Sequence, residues 1–210
     1  MISHNVIRLP QKRTTKPRSK AAYLTADQLL AVLRTAKSRG PREHAMFLFA
    51  FAHGARASEI CDLRLEDLNM PQGTVRIRRL KGSLDSTQNF CKRKGQPLLD
   101  EEKAFKAWLA VRPSDSDQFV FNSRESDRLH RATIFRLFRS ICESAGIPES
   151  LRHPHVLKHS LAMTLVEGGV NAFLIRQQLG HRSFSSTLAY VNSSDQAAGR
   201  EAAKAFAKIF

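Results

Sequence analysis

A chain of 210 residues, 42% of them hydrophobic, is long enough to bury a real core, most simply as one domain. Its 34 Lys and Arg against 19 Asp and Glu give a formal charge of +15, which points to a polyanionic partner. No apolar run approaches the roughly 20 residues of a membrane span, residues 1–20 lack the apolar centre of a signal peptide, and Cys61, Cys91 and Cys142 outline no disulfide framework, so a cytoplasmic protein with reduced thiols is expected.

Residues 1–20 scatter Arg8, Lys12, Arg13, Lys16, Arg18 and Lys20 among prolines and polar groups. They read either as a flexible basic arm for phosphates or as a solubilising tail. The globular domain is expected over 21–210. It opens on LTADQLLAVLRTAKSRG, where Thr25 and Gln28 make a capping-box pattern and Leu29, Leu30, Val32 and Leu33 an apolar stripe, ended by Gly40-Pro41. PREHAMFLFAFAHGARASEICDLRLEDL predicts a buried helix broken at His53-Gly54, then a second helix opening near Arg56. TVRIRRL, residues 74–80, alternates apolar and basic side chains and predicts a strand with a positive outer face, which makes Arg76, Arg78 and Arg79 candidate DNA contacts. A second extended piece is expected over 88–99, with Lys92, Arg93 and Lys94 in its basic turn.

DEEKAFKAWLAVR predicts a helix with acids at its start and Arg112 at its end, matching the helix dipole, and Pro113 stops it. FVF at 119–121 reads as a short buried segment, and HRATIFRLFRSICESAGI at 130–147 as an amphipathic helix ending at Gly146. Three helical pieces follow, HPHVLKHSLAMTLVEGG, NAFLIRQQLGH and SFSSTLAYV, punctuated by Gly168-Gly169 and Gly180. An alanine-rich helix, SDQAAGREAAKAFAKIF, closes the sequence. The expected fold is mainly α with a small antiparallel β-sheet inserted near 74–99.

HPHVLKHS, residues 153–160, concentrates imidazoles, and His155 and His159 at i, i+4 share a helix face as zinc ligands do. Lys158 between them and the lack of a nearby carboxylate argue against a metal. Glu59, Asp62, Glu66 and Asp67 fall at spacings that merely solvate a face, and no GxxxxGK[ST] phosphate loop occurs. No cofactor, metal or ATP is therefore expected. What remains is a series of cations, imidazoles and one tyrosine: Arg56 in HGARASEI, Lys81 after the strand, His155 and Lys158 in HPHVLKH, His181 in LGHRS, and Tyr190 in STLAYV.

In this order the positions resemble the tyrosine site-specific recombinases of the lambda-integrase type. Their catalytic domain carries an arginine in G-x-R-x-x-E, a lysine in a β-hairpin, an H-x-x-R helix, an L-G-H segment and then a tyrosine. Here these read Gly54-Ala55-Arg56-Ala57-Ser58-Glu59, Lys81, His155-Val156-Leu157-Lys158, Leu179-Gly180-His181 and Tyr190. The resemblance runs from about Leu24 to Tyr190; each motif alone is weak, and their order and spacing together are specific. The RLK-G turn and the HPHxLxHS wording are similar to the short recombinases that invert the promoter switch of bacterial fimbriae and lack a separate N-terminal core-binding domain, although DSTQNFCKRKG departs from them.

The resemblance implies the DNA breaking-rejoining enzyme fold, independence of metal and ATP, double-stranded DNA with specific recombination sites as partner, and a homotetramer on that DNA. Integration, excision and inversion are all compatible with it. It implies Tyr190 as the nucleophile, storing the cut bond as a 3′-phosphotyrosine. Arg56 grips the phosphate, Lys158 and His181 are further donors, Lys81 is the acid toward the leaving 5′ oxygen, and His155 assists proton transfer. Arg182 is a further DNA contact, and His159 a support for its neighbours. The last helix, through Ala202, Ala203, Phe206 and Ile209, docks on a neighbouring protomer or on its own domain.

Plainer readings stay open beside these. Tyr190 packs with its hydroxyl at the surface; Arg56 and Glu59 form a helix-surface ion pair of little energy; Lys92 and Lys94 compete with Lys81. Lys158 stands where the family has arginine, keeping the charge and losing the bidentate fork. Losing such a contact costs about 2.7–4 kcal/mol in a transition state. The outcomes are a slower but competent recombinase, or a DNA-binding regulator whose cleavage has decayed. In the regulator, NAFLIRQQLGHRSFSSTLAY would act as a helix-turn-helix reader. A topoisomerase-like relaxer using the same tyrosine is a third reading.

Overall fold

The computed structural model describes residues 22–79, 85–113, 118–122 and 128–190, with 203, 204, 206 and 207 in the final segment. The basic arm over 1–20, Lys81, Ala202 and Ile209 lie outside the described residues. Helix α1 (Ala26–Arg39) begins on the expected box: Thr25 Oγ1 accepts from the Gln28 amide and Gln28 Oε1 from the Thr25 amide. Pro41 then opens α2 (Pro41–Ala52) at the position where a missing N–H costs nothing.

From Glu43 to Ala52 every residue of α2 is buried, because α1, α4 (Glu101–Leu109) and α6 (His155–Glu167) all pack on it. A helix enclosed this way has no need of a polar stripe, which explains PREHAMFLFAFA. Helix α5 (Arg131–Ser144) closes the far side against α1 and α3 (Ala57–Cys61). Phe47, Phe49, Phe105, Phe121 and Phe138 are fully buried between these helices, and the Phe47 and Phe138 rings meet at 5.2 Å. The FVF segment is buried as expected at Val120 and Phe121, and Trp108 Nε1 donates to the Val120 carbonyl.

The sheet has the antiparallel order β1-β2-β3, from Leu68–Asn69, Thr74–Ile77 and Ser86–Asn89. Its last strand pairs Val75 with Gln88 and Ile77 with Ser86, so it begins and ends earlier than the expected 88–99. Pro97, which has no amide to donate, instead starts a 3-10 turn, Pro97–Leu99, that leads into α4.

The positive outer face needs correction at one residue. Arg76 is exposed and Arg78 half-exposed, but Arg79 is buried: two places beyond inward-facing Ile77, it falls on the inner side. Much of the remaining charge is paired inside the chain. Arg76 meets Asp85, Arg78 meets Glu66 and Asp67, and Lys92 meets Glu102, while Arg93, Lys94 and Arg182 are exposed.

Helices α7 (Ala172–Leu179) and α8 (Ser185–Leu188) end the main described stretch. With α8 a single turn, the pair lacks the second helix that a helix-turn-helix lays along a groove. Among the described residues no helix is long and apolar enough to cross a membrane. Phe206 of the final segment is exposed.

Candidate active site

The site is built on two glycines that turn helix ends toward each other. At the end of α2, Gly54 takes φ +56°, and a Cβ there would stand 2.9 Å from a Leu179 methyl. At the end of α7, Gly180 takes φ +62°, and a Cβ there would stand 2.8 Å from Arg79 Nε. These turns launch Arg56 and His181 from neighbouring places although 125 positions separate them in the chain (181 − 56).

Arg56 is fixed by Glu59 twice. The Arg56 amide donates to Oε2 at 2.9 Å and its Nη1 to Oε1 at 2.7 Å. The pair is no surface ornament, because the Glu59 side chain has no exposure and also accepts from Arg79 Nη1 at 3.1 Å. Burial alone would raise the Glu59 pKa; the Arg56 amide, Arg79 and the Arg56 guanidinium outweigh it and hold the carboxyl below its usual range. Arg79 Nη2 also reaches the carbonyls of His53 (2.9 Å) and Gln178 (2.8 Å). Its Nε alone, among the described buried side-chain atoms, has no hydrogen-bond partner.

Lys158 lies in the same floor. It does not stand beside His155 at the surface, as HPHVLKHS suggested; it is 3% exposed, and Nζ donates to the carbonyls of Gly54 (3.1 Å) and Leu179 (2.5 Å). Burial, then Arg79 and Arg56, push its pKa down to about 7. The β-hairpin is strapped to this floor by Gln88, whose Nε2 donates to the Gln178 carbonyl and whose Oε1 lies 2.7 Å from His53 Nδ1. Glu101 contacts the other nitrogen of His53 at 2.9 Å. A cavity of about 740 Å³ opens between the hairpin and α7, bordered by Asp85, Thr87, Arg176, His181 and Arg182.

Above the floor stand the imidazoles and the tyrosine. The His155 and His159 rings meet edge to face at 4.7 Å, and His159 Nδ1 lies 2.5 Å from the Tyr190 hydroxyl oxygen. On the other side His181 lies nearly parallel to Tyr190 at 6.4 Å, with its Nδ1 3.0 Å from the hydroxyl of fully buried Thr187. Partial burial and the surrounding positive charge, including Lys158 and Arg56, press His155 and His181 each down to about 4. Burial followed by His153 and Lys158 lowers His159, and burial raises Tyr190. At neutral pH the site therefore holds neutral rings and an intact phenol beside the Arg56 and Arg79 cations, with Lys158 close to its midpoint.

Arg56, His155, Lys158, His181 and Tyr190 are thus brought together, as their order in the sequence required; Lys81 falls outside the described residues. Reasoning from the sequence missed Arg79, Gln88 and Thr187 as supports, and gave His159 no contact with the tyrosine. Two of these carried a signal: Arg79 in its alternation with Val75 and Ile77, and His159 in its i, i+4 place on the face of His155. Among the described residues, no group of three or more His, Cys, Asp or Glu side chains could hold a metal ion.

A mainly helical domain with a small antiparallel sheet, gathering these cations and imidazoles around one tyrosine, is the catalytic domain of a tyrosine recombinase. The sequence model of the phage integrase family matches residues 22–197, and the chain belongs to that family. It is 33% identical to the type 1 fimbriae regulatory protein FimB of Escherichia coli K12 over 197 residues, covering 87% of this chain and 94% of FimB. It is 31% identical to the tyrosine recombinase XerA of Pyrococcus furiosus, over 88% of this chain and 60% of XerA. The crystal structure of a XerA recombinase superposes with a TM-score of 0.73 at 25% identity, over 91% of this chain and 66% of that one. The similarity to the fimbrial subgroup read from RLK-G and HPHxLxHS is borne out.

Proposed function

We propose that the chain cuts and rejoins double-stranded DNA at specific recombination sites through Tyr190, with the scissile phosphate seated against Arg56, His155 and His181. The observation that carries this reading is the position of Tyr190 between His159 and His181, above a floor that holds Arg56 and Lys158. Of the five N–H donors of a guanidinium, Glu59 engages Arg56 at Nη1, so the group is aimed as well as charged. Lys158 acts from beneath: it adds positive charge and, through Gly54 and Leu179, holds the two turns that launch Arg56 and His181. Neutral His155 and His181 serve as hydrogen-bonding groups for the non-bridging oxygens. Lys81 is the acid toward the 5′ oxygen. The tyrosine oxygen bonds to phosphorus as the P–O5′ bond breaks, so the bond is conserved for rejoining without ATP or metal.

Two protomers at each site and four in the paired complex fit a family that exchanges strands between sites, and exposed Phe206 offers a group for docking on a neighbour. The similarity to FimB favours inversion of a DNA segment near a surface-structure gene, in the cytoplasm. The test selects a tightly bound duplex from a random-sequence library with Tyr190→Phe protein, nicks it beside the cleavage point, and incubates it with the wild type. A covalent adduct that survives denaturation is expected, with none from Tyr190→Phe. A bound duplex that wild type never captures would leave only the non-enzymatic regulator.

A further inference from the structure

His159 Nδ1 lies within hydrogen-bond reach of the tyrosine hydroxyl, at 2.5 Å. Burial raises the Tyr190 pKa, so the phenol keeps its proton at neutral pH and needs an acceptor before it can attack. His181 is placed for other work: its Nδ1 is engaged by Thr187, and its ring lies alongside the phenol, parallel to it at 6.4 Å. His155 touches the His159 ring by its edge, at 4.7 Å between centroids. The groups facing His159 are His155 and Lys158 on its own helix, His153 ahead of that helix, and Tyr190 from beyond α8. Lys158 and any charge on His153 oppose protonation of His159, as does partial burial, so it waits as a neutral base.

We infer that His159 is the general base that takes the Tyr190 proton during cleavage and returns it during rejoining. The inference rests on Tyr190 being the nucleophile. With the imidazole in its Nε2–H form, Nδ1 is the acceptor. The Tyr190 O–H bond breaks as the Nδ1–H bond forms, and the tyrosine oxygen bonds to phosphorus. The P–O5′ bond then breaks, and its electron pair leaves on the 5′ oxygen, which takes a proton from a separate donor. In rejoining, the 5′ hydroxyl gives its proton to that donor and attacks phosphorus. The bond from phosphorus to the tyrosine oxygen breaks, and His159 hands its proton back. Neighbouring positive charge, which keeps the base neutral at rest, also makes its conjugate acid a ready donor for that return.

The experiment measures single-turnover capture of the selected nicked duplex by wild type, His159→Ala and His159→Asn. Each is followed across pH 4.5 to 8.5, on an ordinary phosphate and on one with sulfur bridging to the 5′ carbon. Asparagine keeps a polar group near the Nδ1 position but takes no proton. Both variants are expected to bind the duplex like wild type and to cleave at least about 100-fold more slowly. The wild-type rate should fall as pH drops below the ordinary histidine range, and that acid limb should vanish in the variants. The sulfur substrate should not rescue them, because it relieves only protonation of the leaving group. Variants within threefold of wild type, full rescue by sulfur, or wild-type cleavage by His159→Asn would each overturn the inference. So would a wild-type profile with no acid limb, which needs no variant to be read. Failure of the wild type to form any adduct would instead remove the reading of Tyr190 itself.

Discussion

The helical core around α2 and the floor beneath Tyr190 are equally dry, and they are made of opposite materials. The core buries Phe47, Phe49, Phe105, Phe121 and Phe138, whose stabilisation is the sum of many weak contacts. The floor buries Glu59, Arg79, Lys158, Gln88 and His53, where each group is tolerable only because a particular partner is present. A core of the first kind accepts a change of shape and gives up a little energy. A floor of the second kind fixes its members through specific partners and fails when one member is lost, because the charge left behind is stranded. The division suits an enzyme whose substrate supplies only a phosphate: the core provides stability and the floor provides aim.

Three experiments press on that division, in descending order of effect. Glu59→Ala removes the carboxylate shared by Arg56 and buried Arg79 and leaves Arg79 without its counter-ion, so unfolding in denaturant should show a loss of about 3–5 kcal/mol together with loss of adduct formation. A milder loss, below about 1 kcal/mol, would mean that the floor adapts as the core does. Phe138→Leu, in the core, should cost roughly 1–2 kcal/mol in the same measurement and leave the rate of adduct formation unchanged. A slowed reaction there would show that aim depends on the core after all.

The smallest effect is a pH dependence. Lys158 titrates near 7 when folded and 10.5 when unfolded, so between those values the unfolded chain binds more protons and stability rises with pH. The destabilising contribution of its charge is fully present below 7 and gone above 10.5. Melting temperatures of wild type and Lys158→Met, compared at pH 7 and pH 8, should therefore shift by a few degrees in favour of wild type. A gap that stays constant would mean the ammonium keeps its proton throughout.

What the sequence revealed and what it concealed follow from the same rules. Thr25-Gln28, Gly40-Pro41 and Gly180 are local signals, and each sits where its chemistry demanded. Arg56, His155, His181 and Tyr190 were legible as a set because their order is specific, although none was legible alone. Arg79 was misread by grouping it with its charged neighbours; strict alternation from Val75 and Ile77 places it inward, and the period was the better guide. Lys158 was misread in the same way, since Leu161 and Ala162, three and four places on, are both buried. The short strand Ser86–Asn89 has no apolar alternation, and its partner in β2 decides its pairing. Gln88 acts through Gln178, far away in the chain, and Thr187 through His181 across the turn between α7 and α8; neither pairing follows from a helical or strand period.

The bonds from Lys158 Nζ to Gly54 and Leu179 make that amine a built-in clock for opening of the floor. While the floor is closed, an amine-reactive reagent has no path to a group 3% exposed. Each time Gly54 and Leu179 part, the amine becomes an ordinary lysine and can be acylated, so its rate of labelling counts those excursions. Site-resolved mass spectrometry of that one modification, with and without bound DNA, would read out how often the site comes apart and whether its substrate holds it shut.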